Sequence, residues 1–197
     1  MANAIRTNGL SPVKHLITGG FNEQGTLYQI AAADTNAYAI GDPVVSSGSG
    51  DSNGVPGVTI ATAGVPLRGV IMGLGTSEGG LFNPNNLNST IRPAAAQATD
   101  WYALVADDSS IIFEVSEPAT GTPLAANAIG FNVNLVAGAN NGYVSGWTIN
   151  NTGAATTSTL QVRLLGLARR QDNAFGLGAR WLVKINSHEL SAGTAGV

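Results

Sequence analysis

The chain has no cysteine, two histidines and very little charge. Without cysteine there is no disulfide framework, no thiol chemistry and no thiolate metal site. The histidines, His15 and His188, sit at opposite ends of the sequence, and no His/carboxylate spacing resembles a zinc site. Asp, Glu, Lys and Arg make up 11% of the 197 residues, against about 25% in typical soluble domains. Ser, Thr, Asn, Gln and Gly must therefore cover the exposed faces. Such a surface carries little electrostatic repulsion and tolerates close contact with copies of itself or with a partner. No apolar run approaches the ~20 residues that span a bilayer, and residues 1–10 contain no apolar core of a signal peptide. The expectation is a chain without a membrane partner.

Hydrophobic residues make up 44% of the chain, enough for a packed core. Gly (26) and Pro (8) together reach about 17%, against about 12% on average, which favours many turns and short strands. The densest apolar material lies between Thr159 and Asn186. In Arg180–Asn186, Trp181, Val183 and Ile185 fall on one face, while Arg180, Lys184 and Asn186 share the other with Leu182. That period of two marks a strand with one buried side. Thr159–Ala168 starts the same way, with Leu160, Val162 and Leu164 opposite Gln161 and Arg163. It then becomes apolar on both faces through Leu165 and Leu167, the pattern of a strand entering the middle of a sandwich.

Further strands are expected over Thr26–Ala32, Asp100–Val105, Ser110–Val115, Phe131–Leu135 and Tyr143–Ile149, and Ala39–Val45 reads as a turn into another strand. Val58–Ala63 and Leu67–Leu74 read as a hairpin about Gly64-Val-Pro66. Polar loops are expected at 46–57, 76–93 and 150–158, a helical turn at 92–99 and a short helix or turn at 123–129. The architecture is all-β: a sandwich or barrel of nine or ten short antiparallel strands with very little helix. The organisation expected is an extended N-terminal arm (1–20), a small β subdomain or first part of the sandwich (21–95), the main core (96–190) and a C-terminal tail (191–197).

No catalytic constellation is visible, so the chain is not expected to be an enzyme or to hold a cofactor or metal. Asp107-Asp108 occupies a tight turn, where Asp suits the backbone, although a paired carboxylate could also serve acid/base chemistry. Asp51-Ser-Asn-Gly54 echoes part of a calcium loop without its distal glutamate. Gly142-Tyr-Val-Ser-Gly146 misplaces the serine of a nucleophile elbow, and Gly73-Leu-Gly75 precedes no helix. Trp101, Trp147 and Trp181 lie in strands, where core packing competes with a sugar-binding role; an exposed Tyr143 or Trp147 would favour the latter. Charge is uneven. Residues 1–162 carry four basic and ten acidic groups, and residues 163–197 carry five basic and two acidic groups. Either these charges lie incidentally on solvated faces, or the subunit is bipolar and docks its basic end on an acidic surface. The basic residues are too few and too dispersed for nucleic acid.

Three stretches together resemble the capsid decoration (cement) proteins of tailed bacteriophages. They are Ile40-Gly-Asp-Pro-Val44 with Gly69-Val-Ile-Met-Gly73, then Trp101–Val115, then Leu160–Arg170 with Asp172-Asn173 and Trp181–His188. The likeness spans most of residues 37–190. It implies a non-enzymatic, often oligomeric virion subunit, made in the host cytoplasm. Such a subunit binds the capsid exterior, strengthens contacts between major capsid protein subunits and pairs with copies of itself as a dimer or trimer. Interface residues expected on this basis are Ile5, Leu10, Val13 and His15 in the N-terminal arm and His188, Leu190 and Val197 in the C-terminal tail. The alternative is a receptor- or carbohydrate-binding sandwich of a phage fibre or tail.

Overall fold

A computed structural model of the chain describes residues 3–17, 19–22, 24–78, 81–82, 89–193 and 195–196. Strand β1 (Ser11–His15) and the two-residue β2 (Gly19–Gly20) are followed by β3 (Thr26–Ile30), β4 (Tyr38–Ala39), β5 (Pro43–Gly50) and β6 (Pro56–Ile60). Next come β7 (Gly69–Glu78), β8 (Leu81–Phe82), β9 (Ile91–Arg92) and β10 (Trp101–Ala106). The second half holds β11 (Ile111–Ser116), β12 (Asn132–Val133), β13 (Leu135–Val136), β14 (Thr148–Ile149), β15 (Val162–Leu167) and β16 (Arg180–Ile185). The described residues contain no α-helix, only the 3₁₀ turn Ala126–Ala128. The chain is all-β.

Strands β10, β3, β6, β5 and β7 pair in that order, and β7 returns to pair with β10, closing a five-stranded barrel. Its pairs are antiparallel except β3 with β6, which run parallel. Tyr28, Ile30, Tyr38, Val44, Val58, Ile71, Leu74, Trp101, Ala103 and Val105 pack together as the barrel cluster. The second body is a six-stranded sheet, ordered β12-β15-β16-β11-β1-β2. Phe113, Val115, Val162, Leu164, Trp181, Val183 and Ile185 bury its inner face against Leu67, Val70 and Ala106 of the barrel side. The barrel wall is therefore shared: alternate residues of β7 and β10 serve one core or the other.

The chain crosses between the bodies at Asp107–Ser110. Asp108 makes this corner by accepting from the Ser110 amide at 2.7 Å, while its own carbonyl accepts from the Ile111 amide at 3.1 Å. Near the C-terminus, the Leu67 amide donates to the Ser187 carbonyl and the Glu189 amide to the Leu67 carbonyl, both at 2.9 Å. At the other end, Gly9 has φ +61°, and a Cβ there would lie 2.4 Å from the Gly41 carbonyl oxygen. Only glycine lets the N-terminal segment pass this close to the β4–β5 turn.

Several expectations are corrected. The proposed hairpin of β6 and β7 does not form, because β5 inserts between them and pairs with both. The polar stretch 46–57 is largely strand, since backbone pairing does not require apolar side chains at exposed positions. Strand β7 continues through Thr76–Glu78, the start of the expected 76–93 loop, whose residues 79–80 and 83–88 lie outside the described set. The helical turn expected at 92–99 is absent. Arg92 instead ends strand β9, and the alanines after Pro93 form bends, with Ala95 at φ 159°. Residues 11–15, expected in the extended N-terminal arm, are a sheet strand paired with β11. The division drawn at residue 95 falls one strand early, because β10 completes the barrel.

Candidate functional site

The sequence-level chemical candidates converge on the Asp107–Ser110 corner but are bound up in structure. Asp107 accepts from the hydroxyls of Tyr28 at 2.8 Å and Thr26 at 3.0 Å, and from the Arg68 guanidinium at 3.3 Å. Burial, reinforced by the Asp107 carboxylate, pushes the Tyr28 phenol up to about 12. The Ser110 amide holds the Asp108 carboxyl below its ordinary value, with His15 contributing. His15 Nδ1 lies 3.3 Å from the Ser110 hydroxyl and 3.6 Å from Asp108.

His188 reaches the same corner from the opposite end of the chain. Its Nδ1 accepts from the Leu190 amide at 3.0 Å, so Nε2 carries the proton and donates to the Asp107 carbonyl at 3.0 Å. Burial lowers its pKa and favours this neutral form. Among the described residues no group of three or more His, Asp or Glu side chains is placed to hold a metal ion. Asp51 is a turn cap: it accepts from the Asn53 and Val55 amides at 2.8 and 2.9 Å and from the Tyr102 hydroxyl at 2.7 Å.

A different feature stands out on the outward face of the second sheet. Among the described residues ten large apolar side chains are exposed, and Val13, Leu16, Ile129, Leu165 and Phe175 line a single groove there. Its volume is about 1030 Å³, and its floor includes Ile112, Leu167 and Leu182. The strand register explains how these residues meet. Leu182 pairs with Gly166 and Glu114, and Lys184 pairs with Arg163 and Ile112, which in turn pairs with Lys14. Directly paired residues share a face, so these side chains all point away from the core.

Leu165 reaches the groove through a bulge. The register between β15 and β16 shifts between Leu164 and Gly166, and Gly166 takes φ +150°, open to glycine and strained for other residues. Leu165, expected in the middle of the sandwich, is consequently exposed.

Two asparagines build the far wall. Asn173 donates to the Ala168 and Arg180 carbonyls and accepts from the Arg180 amide, each at 2.8 Å, pinning the base of the β15–β16 loop. Asn3 accepts from the Ala174 amide at 2.9 Å and donates to the Ala174 carbonyl at 2.9 Å and the Leu177 carbonyl at 3.1 Å. This fixes the segment that carries Phe175, whose ring centroid lies 5.7 Å from that of Trp181. The N-terminal segment thus holds the groove's wall by hydrogen bonds.

Of the interface residues expected from the sequence, Val13 lines the groove, and Ile5 and Leu190 are exposed outside it. His15 is half-buried against the corner. Leu10 and His188 are buried in the chain's own fold and offer no outward surface. Val197 lies outside the described residues. Ile112, Ile129, Leu165, Phe175 and Leu182 were not singled out as site residues, although Leu182 broke the alternation of β16 by standing on its polar face. Trp101, Trp147 and Trp181 are all buried, whereas Tyr143 is 70% exposed. Comparison with family models, curated proteins and solved structures gives no match for this chain.

Proposed function

We propose that the protein is a non-catalytic structural subunit of a tailed-phage virion. It binds the outer surface of the capsid and tightens contacts between major capsid protein subunits. The observation that carries this reading is the outward apolar groove of the six-stranded sheet, on a chain whose surface otherwise has little charge. Apolar side chains gathered in one concave strip, rather than scattered singly, mark a surface that another macromolecule covers. The motif resemblance supplies the kind of macromolecule. Attachment at many equivalent sites on a shell also makes a small individual contact sufficient.

The test is co-sedimentation of the full-length protein with expanded, undecorated heads of its own phage. Saturable binding that raises the heads' resistance to heat or chelator supports decoration. Absence of binding by folded protein overturns it. Exposed Tyr143 favours the alternative, a glycan- or receptor-binding module, with Trp147 buried beneath the same loop region at 3% exposure. A glycan-array signal lost in Tyr143→Ala would select that reading.

A further inference from the structure

We propose that the groove receives an extended, acidic segment of the partner protein, with carboxylates flanking the apolar side chains that fill its floor. The proposal takes only the source of that segment, the shell protein, from the decoration reading; its chemistry is argued from the groove. Leu182, in a row with Gly166 and Glu114, lies between two cationic borders. On one side, one residue pair along the strands, Arg163, Lys184 and Lys14 share a row with Ile112. Arg163 and Lys184 are direct cross-strand neighbours, a like-charge placement that opposes pairing. On the other side Arg169 and Arg170 from the loop line the groove, while the buried Arg180 of β16 is paired with Glu114.

Among the described residues Glu114 is the one carboxylate lining this groove. It is already shared by Arg170 at 3.0 Å and Arg180 at 3.3 Å. Among the described residues Lys14, Lys184 and Arg169 make no ion pair. Among the described residues three cations line the groove, Lys14, Arg169 and Arg170, against one engaged carboxylate, and an anionic partner completes the balance.

The groove also sets the shape of its occupant. It crosses β1, β11, β16 and β15, three inter-strand steps of about 4.8 Å each, or roughly 14 Å. That is the reach of about four to five residues of extended chain. Alternating side chains of such a segment would place apolar groups on the floor and carboxylates toward the borders. Among the described residues Phe175 is the one aromatic ring in the lining, too few for the successive base stacking that single-stranded nucleic acid uses.

The probe is a fluorescein-labelled ten-residue peptide alternating Asp or Glu with Leu or Val. Controls are peptides with Asn/Gln or Lys in place of the carboxylates, anionic lipid vesicles and an oligonucleotide. Anisotropy measures binding to the full-length protein, and methyl NMR locates it. The acidic peptide is expected to bind at least about tenfold tighter than the Asn/Gln peptide and to weaken with added salt. It should shift the methyl signals of Ile112, Leu165 and Leu182.

Lys184→Glu and Arg169→Glu should each weaken it about tenfold, with near-ultraviolet circular dichroism unchanged; Lys184→Gln is the milder second variant. Equal binding of acidic and Asn/Gln peptides, methyl shifts elsewhere, or preferential capture of vesicles or oligonucleotide at this face overturns the proposal. Peptide binding lost in Lys184→Glu while heads are still decorated normally keeps the groove's chemistry and removes the capsid as its target. Head binding without peptide binding overturns the acidic segment and leaves decoration standing.

Discussion

The barrel and the six-stranded sheet treat charge in opposite ways. In the barrel region the carboxylates meet donors: Asp34, Asp51 and Asp107 each accept from a tyrosine hydroxyl, those of Tyr38, Tyr102 and Tyr28. Asp100 accepts from the Gln29 side chain at 2.7 Å and the Ala32 amide at 2.8 Å. Even the fully buried Arg92 is enclosed, donating to the carbonyls of Ala31, Asp34 and Asn36. In the sheet, by contrast, Lys14, Lys184 and Arg169 make no ion pair among the described residues and lie beside an open apolar groove. The barrel's strands enclose one core, and part of their outer side, through Val70 and Ala106, packs the second. An open sheet buries one face and must present the other. The basic C-terminal stretch supplies β15 and β16 at the heart of the six-stranded sheet, whereas the barrel is built entirely from the acidic stretch.

The largest effect expected in this comparison is at the core both bodies share. Trp181 is fully buried, and its indole donates to Glu117 at 3.1 Å. Trp181→Ala should cost about 3–5 kcal/mol in urea unfolding, through a cavity and an orphaned buried acceptor. A loss confined to the sheet's signals, with the barrel's transition unmoved, would show that the two bodies unfold separately.

A pH-dependent effect follows from Asp42 at the β4–β5 turn. Burial raises its carboxyl from 3.8 to about 6, opposed by hydrogen bonds from Ser145 and the Ala39 amide. The folded chain keeps this proton up to about pH 6, whereas the unfolded chain releases it near 3.8. Between those values the folded state binds more protons, so this group's contribution to stability falls as pH rises and levels off above pH 6. Asp42→Asn should remove that fall and gain about 2–3 kcal/mol relative to wild type at neutral pH. A difference between the two proteins that stays constant from pH 4 to 7 would contradict the assignment.

Smaller effects sharpen the contrast in charge. Tyr28→Phe deletes a donor to Asp107 and a partner of Arg68, and should cost about 1–2 kcal/mol of thermal stability. Leu165→Asp, on the exposed bulge, should change stability by less than about 0.5 kcal/mol. Equal losses from both substitutions would mean that the groove side chain packs the core after all.

The fold class was legible because period-two burial survives in β16: Trp181, Val183 and Ile185 are buried as their spacing required. The pairing partners were not legible. Nothing local in β6 or β7 reveals that β5 will insert between them, since that choice is made by barrel closure. The groove was hidden for a related reason. Its residues come from positions as distant as 13, 112, 129, 165, 175 and 182, and only register brings them together. Two local signs existed: Leu182 on the polar face of its strand, and Leu165 beside the glycine that permits a bulge. Buried polar residues were harder still. Gln161 looked outward by alternation but is fully buried, donating to the carbonyls of Thr62 and Val65 and accepting from the Leu135 amide.

The most direct test of the contrast sets one substitution on each body against the same shell. Expanded, undecorated heads are titrated by co-sedimentation with wild type, with Leu165→Asp in the groove and with Ser52→Lys at the exposed β5–β6 turn of the barrel. Wild type and Ser52→Lys should bind saturably and alike, and Leu165→Asp should lose at least about tenfold with its fold intact. Heads saturated equally by all three proteins, or lost binding in Ser52→Lys with Leu165→Asp unaffected, would contradict the sheet's outer face as the surface that meets the capsid.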